Sequence, residues 1–104
     1  MNFGLPESTI ARMTAVLREF PDVEEAVIYG SRAKGTYKPG SDIDLALIGT
    51  ALTEPLRGRI EEGFEELLLP YSIDLSVLAH LENPDLVDHI HRVGRRFYSR
   101  SEPV

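Results

Sequence analysis

Apolar residues recur along this chain with two periods, and the switches between them mark out the elements. Ile10, Met13, Leu17 and Phe20 fall at helical spacing behind Pro6, Ser8 and Thr9, which predicts a helix over 6–19. Residues 24–29 (EEAVIY) read as a short β run leading into Gly30-Ser31. Ser41 to Ile48 forms a second predicted strand, closed by Gly49. Along it Ile43, Leu45 and Leu47 share one face while Asp42 and Asp44 take the other. From Glu54 to Leu69 an apolar stripe of Leu56, Ile60, Phe64 and Leu67 or Leu68 predicts a helix, with Glu61, Glu62, Glu65 and Glu66 outside. Gly58 and Gly63 weaken that helix and Pro70 ends it. The segment Tyr71 to Leu78 alternates, with Ile73, Leu75 and Val77 apolar and Ser72, Asp74 and Ser76 polar, the period of a half-buried strand. Asn83-Pro84-Asp85 opens a last helix whose stripe is Leu86, Ile90 and Val93. Gly94 stops it, and Arg95 to Tyr98 add a final short strand. The pattern predicts an α/β (α+β) domain, a small mixed β-sheet with helices packed on one face and the acids on the other.

The segment GSRAKGTYKPGSDIDL, residues 30–45, carries the chemistry. Acidic residues form strands poorly, and two like charges on one face repel, so a strand that tolerates Asp42 and Asp44 usually has a cation between them. Gly30 allows a phosphate to approach the backbone where a Cβ would obstruct it. Ser31 offers a hydroxyl at the start of a short helical turn whose free N–H groups attract anions. Arg32 and Lys34 follow at once, each able to neutralise phosphate charge. Gly35, Pro39 and Gly40 keep the connecting loop tight, and Ser41, directly before Asp42, joins the expected nucleotide-binding set. The order GxxxxGK[ST] is missing, so this is not a Walker A loop. A plain strand-turn-strand with a solvated acidic end is the competing reading.

Asp74 is a third carboxylate on a predicted strand. If that strand lies beside the one carrying Asp42 and Asp44, all three acids converge on an open face. Two metal ions roughly 3.5–4 Å apart would then clamp an in-line phosphoryl displacement. Taken alone, Asp74 has a solvent-facing strand residue as its competing reading.

These motifs resemble the minimal nucleotidyltransferases of the DNA polymerase beta superfamily, whose signature is Gly-Ser, ten residues, then Asp-x-Asp. Gly30-Ser31, the ten residues from Arg32 to Ser41, and Asp42-Ile43-Asp44 match it without a gap. Asp74, within SIDLSVL, falls where that family keeps its third acid, and HIHRVGRRFY is similar to its helix-Gly-strand ending. The resemblance implies that Gly30 and Ser31 bind the β and γ phosphates with help from Lys34. It further implies that Asp42 and Asp44 hold both of two magnesium ions, and that Asp74 holds the catalytic one and helps deprotonate the incoming hydroxyl. ATP is the implied nucleotide donor. Small stand-alone relatives pair with an all-helical HEPN protein, so the implied role is the antitoxin of a toxin–antitoxin pair that moves AMP onto a tyrosine of its partner.

Composition narrows the remaining choices. At 104 residues the chain is long enough for one core, so residues 1–104 are read as a single domain. With 17 acidic residues against 11 basic, the net charge of −6 makes a sequence-independent grip on nucleic acid an unlikely role. Arg92, Arg95, Arg96 and Arg100 cluster near the C-terminus, as a patch for nucleotide or partner or as a solvated helix end. There is no cysteine, hence no disulfide framework. No signal segment or run of about 18 apolar residues is present, and a cytoplasmic protein without a membrane span is expected. His89 and His91, two apart on a helix, diverge and read as surface residues rather than metal ligands. Tyr29 and Tyr37 are either base-stacking rings or, respectively, a core and a loop residue. A domain this small has no acceptor-binding lobe, which points to a hetero-oligomer. Two rival functions stay open: a non-catalytic module that neutralises or scaffolds a helical partner by contact, and transfer onto a small hydroxylated molecule.

Overall fold

The structure is a computed structural model that describes residues 2–101; Met1 and residues 102–104 of the expected 1–104 domain lie outside it. Helix α1 (Glu7–Arg18) is followed by β1 (Glu25–Tyr29), the short α2 (Gly30–Lys34) and β2 (Ile43–Ile48). Then come α3 (Glu54–Glu65), β3 (Ile73–Val77), a 3-10 turn (Leu78–His80), α4 (Pro84–Val93) and β4 (Arg95–Ser99). The four strands form one sheet in the order β3-β2-β1-β4. Strand β1 runs antiparallel to β2 and β4, whereas β2 and β3 are parallel, so the sheet is mixed as the pattern predicts. A parallel pair needs a crossover, and α3 supplies it.

The apolar period decides which face each element buries. Met13, Val16 and Leu17 of α1 and Ile60 and Phe64 of α3 pack with Ala26, Ile28, Ile43, Leu45, Leu47, Leu75 and Val77 in the main core. Fully burying each such Leu, Ile or Phe contributes on the order of 1.5–3 kcal/mol. Strand β4 carries one residue, Phe97, between the Ala26–Tyr98 and Val27–Arg96 pairs, and Phe97 and Tyr98 both reach this core. The opposite face presents Asp44 and Ala46 of β2, Tyr29 of β1 and Asp74 and Ser76 of β3, which are register partners across the strands. Its far end is covered by α4, through a smaller cluster of Tyr29, Ala46 and Ile90 edged by Val27, Leu86 and Val93.

Helix ends follow local chemistry. Asn83 Oδ1 accepts the N–H groups of Asp85 at 2.9 Å and Leu86 at 3.3 Å, as the Asn-Pro-Asp start predicts. Thr53 caps α3 by accepting the Leu56 N–H at 3.3 Å. That helix stops at Glu65, four residues short of the predicted Leu69, yet Leu67 and Leu69 still reach the core from the turn that follows. Arg57 joins Glu54 and Glu61, each at 2.8 Å, and donates to the Leu75 carbonyl at 3.3 Å, which ties α3 to the edge strand β3. Among the described residues no helix is long and apolar enough to cross a membrane.

Gly94 ends α4, though not through a left-handed turn: its φ is −61°. A Cβ there would strike the Ile90 carbonyl and the Val27 side chain, so glycine is required by the close approach of α4 to β1. Gly94→Ala is expected to destabilise the protein by about 1–3 kcal/mol, the cost of overpacking. Urea unfolding followed by circular dichroism checks this, with an unchanged midpoint as the contrary result.

Candidate active site

The site begins where β1 turns into α2. Gly30 has φ 70°, a left-handed conformation natural to glycine, and a Cβ at this position would collide with Asp44 Oδ2. The turn's backbone therefore passes directly against the carboxylate of Asp44, which a side chain at position 30 would prevent. Ser31 follows, half-buried, and its carbonyl accepts the N–H groups of Gly35 and Thr36 at 2.9 and 3.0 Å. Lys34 is exposed at the end of α2, beside a 650 Å³ groove that Arg92, Arg95 and Arg96 also line. Arg92 pairs with Asp88 at 2.7 Å and Arg96 with Glu25 at 3.3 Å, so part of this positive cluster is compensated locally.

Arg32 departs from the sequence expectation. It is only 2% exposed, and its guanidinium donates to the carbonyls of Phe3 at 2.9 Å, Pro39 at 3.3 Å and Ser41 at 2.9 and 3.1 Å. The rings of Tyr37 and Tyr71 lie 5.3 and 5.0 Å from its carbon centre. With its donors committed in this way it anchors the loop rather than neutralising phosphate. Ser41 is part of the same loop: its hydroxyl accepts the Lys38 N–H at 2.8 Å and its N–H bonds the Lys38 carbonyl at 3.0 Å. Tyr37 thus serves as a loop residue, and Tyr29, 5% exposed, as a core one.

The acids gather at the starts of β2 and β3. Asp44 and Asp74 are direct register partners across the parallel pair, on strands about 4.8 Å apart. Asp42 lies just outside β2 rather than within it, because the strand opens at Ile43, whose N–H bonds the Ser72 carbonyl at 2.9 Å. Asp44 is half-buried, whereas Asp42 and Asp74 are exposed. Burial, followed by the negative charges of Asp74 and Asp42, pushes the Asp44 carboxyl above its ordinary pKa; a charged His89 opposes the shift. Tyr29, the partner of Asp44 on β1, is also raised, by burial first and then by Asp74 and Asp44, against a hydrogen bond with Ser76.

His89, which its spacing alone assigns to the surface, faces this site instead. Its ring meets Tyr29 edge-on at 6.1 Å and an interplanar angle of 80°. The only sequence signal for this was its place on the buried side of α4, next to Ile90.

A hard divalent cation fits the donor chemistry: three carboxylates, no thiolate, and a half-buried acid crowded by like charge. Among the described residues no group of three or more acidic, histidine or cysteine side chains is placed to hold a metal ion by itself. Magnesium does not need one, since it commonly binds through one or two carboxylates with waters and substrate phosphates completing the octahedron.

The chain resembles known proteins at several levels. A family model described as "Polymerase beta, Nucleotidyltransferase" matches residues 12–103. A Haemophilus influenzae protein described as "Probable protein adenylyltransferase MntA" is 47% identical over 51 residues, a match spanning 45% of this chain and 42% of that protein. The chain thus matches less than half the length of that relative. A chain in a toxin–antitoxin crystal structure with AMP-PNP aligns with TM-score 0.70 and 23% identity, over 93% of this chain and 76% of its own. A tri-AMPylated Shewanella oneidensis HEPN toxin in complex with an MNT antitoxin gives TM-score 0.66 and 18% identity, covering 89% of this chain and 71% of the other. At those identities the structures establish a shared fold.

The crowding at Asp44 has a measurable consequence. Asp44 holds its proton more tightly folded than unfolded, so its charge costs stability above its raised pKa, and that cost fades as pH falls through it. Without metal, Asp44→Asn should raise the neutral-pH melting midpoint by roughly 1–4 °C, a small value because solvent screens the site. The advantage should vanish in acid, and magnesium with ATP should stabilise the wild type but not the variant. Separately, Arg32→Lys should cost about 2–3 kcal/mol by urea titration, because an ammonium cannot reproduce the guanidinium fork. An undiminished stability with a raised KM for ATP would instead return Arg32 to the phosphate role.

Proposed function

The chain belongs to the polymerase beta nucleotidyltransferase family, and on that premise we propose that it transfers AMP from ATP to a protein hydroxyl. The acceptor is a tyrosine of a HEPN-type helical partner, and the pair works as a cytoplasmic toxin–antitoxin system with this chain as antitoxin. The observation that carries the reading is the Asp44–Asp74 register pair set directly against the Gly30 turn. Support for the acceptor comes from the MntA relative, described as a probable protein adenylyltransferase, and from the structural likeness to an MNT antitoxin bound to an AMPylated HEPN toxin.

The residues divide the work. The backbone at Gly30 and the hydroxyl of Ser31 receive the terminal phosphates, and Lys34 neutralises part of their charge. Ser41 closes the loop beside them. Asp42 and Asp44 would hold two magnesium ions and Asp74 one of these. When bound, magnesium supplies charge stabilisation at the transferring phosphate and the leaving pyrophosphate. Asp74 takes the proton as the acceptor oxygen attacks the α-phosphorus. The new O–P bond forms in line with the breaking bond to the bridging oxygen, and pyrophosphate departs. Tyr29, the register partner of Asp44, and His89, edge-on to Tyr29, stand beside the acids.

The test incubates the protein with magnesium, α-labelled ATP and host lysate, beside the Asp42→Ala/Asp44→Ala variant. Labelling of a discrete protein should fall by at least about a thousandfold in the variant. Lys34→Ala should raise the KM for ATP by about tenfold, the value of one charge-assisted contact. A partner retained equally by both versions, with no label from either, would overturn the enzymatic reading in favour of neutralisation by contact.

A further inference from the structure

Just past the end of α3 the fold leaves one large apolar side chain, Leu68, uncovered beside a cavity. Past Glu65 the chain turns through Leu67 and Leu68, whose N–H groups bond the carbonyls of Phe64 and Glu65 at 3.1 and 3.2 Å. Leu68 has φ 54°, a conformation that glycine or asparagine adopts with less strain, and it is 88% exposed. It borders a 410 Å³ cavity of mixed character, lined by Phe64, Leu69, Tyr71 and Ile73 together with Glu61, Glu65 and Ser72. Exposed apolar residues scattered singly are ordinary; Leu68 differs in standing beside a cavity that offers both apolar walls and carboxylates.

Charge identifies the occupant. Arg57 holds Glu61 at 2.8 Å, whereas Glu62, Glu65 and Glu66 enter no ion pair among the described residues. Of these uncompensated carboxylates Glu65 lines the cavity, and Glu62 in the last turn of α3 and Glu66 just past its end are its sequence neighbours, in a chain of net charge −6. We propose that the Leu68 cavity docks a partner protein through an amphipathic helix whose apolar side chains are flanked by lysine or arginine. The apolar side chain fills the hollow against Phe64 and Ile73, and the flanking cations meet Glu62, Glu65 and Glu66.

The location connects docking to chemistry. Ile73 lines the cavity, and Asp74 follows it on the other face of β3, an edge strand of the sheet. A partner seated beside α3 needs only to continue round that edge to bring a hydroxyl to the acids. The inference rests on the reading of a protein acceptor and adds where that acceptor is gripped.

Fluorescein-labelled amphipathic peptides of about 18 residues serve as probes: one of leucine and lysine, one of leucine and glutamate, one of serine and lysine. Fluorescence anisotropy should show salt-sensitive binding of the leucine–lysine peptide alone. Leu68→Gly should weaken it at least about tenfold, as loss of a central apolar anchor does. Because glycine relieves the backbone at this position, the melting midpoint should hold or rise, which separates lost docking from lost folding. Glu62→Lys/Glu65→Lys/Glu66→Lys should weaken it further. Binding that ignores Leu68→Gly, or no binding to the wild type, overturns the proposal. Self-association that Leu68→Gly abolishes, without peptide binding, overturns it in favour of a second copy as occupant. Asp42→Ala/Asp44→Ala should bind the peptide as the wild type does, so a failure of AMP transfer and a failure of docking are read independently.

Discussion

The buried guanidinium of Arg32 is the contact on which the arrangement of the site depends. A charge in the interior is tolerated only when its hydrogen bonds are satisfied. Among the described residues Arg32 pairs with no carboxylate and is satisfied instead by carbonyls from Phe3, Pro39 and Ser41, with two tyrosine rings near its carbon centre. Those carbonyls belong to separate parts of the chain: the N-terminal turn, the loop tip, and the residue just before Asp42. One side chain therefore sets where the loop ends, where β2 opens, and how Asp42 leaves the sheet. The loop itself is short of apolar contacts, with residues 34–40 all exposed, so little else could hold it.

The acids impose an opposite constraint. Parallel pairing of β2 and β3 puts Asp44 and Asp74 side by side, and Gly30 presses the turn's backbone against the first of them. Nothing in the fold is stabilised by this crowding; burial and like charge together raise the Asp44 pKa. Such a local cost is characteristic of sites arranged for a ligand that is positively charged. Tyr29 and Ser76 lie on the same sheet face as the acids, with His89 edge-on to Tyr29, while Asp42 and Asp74 stand exposed. The main core of α1, α3 and the sheet supplies the stability that makes this tolerable, because it buries the Ile43, Leu45 and Leu75 face of the same two strands.

The two faces of β3 thereby separate chemistry from recognition. Asp74 belongs to the acid face, and its neighbour Ile73 opens onto the Leu68 cavity beside α3. An edge strand lets a partner reach both sides without crossing the sheet.

Much of this was legible in the residues. Alternation in SIDLSVL and in DIDLALI placed the strands and their buried faces, the Asn-Pro-Asp start placed α4, and Gly30 with the three aspartates marked the candidate site that the strands bring together, because these features are local and follow from strand period, capping and glycine geometry. Tertiary structure decided the rest. Arg32 reads as a phosphate ligand by position and becomes a loop anchor because carbonyls distant in sequence surround it. Asp42 reads as a strand residue and lies outside because β3 pairs only from Ile43 onward. Gly94 reads as a helix stop, which it is, and the structure adds that it is a point of close approach to Val27. His89 reads as surface and meets Tyr29. Each of these depends on which segments lie side by side, and a one-dimensional pattern carries that information only where the partners are near in sequence.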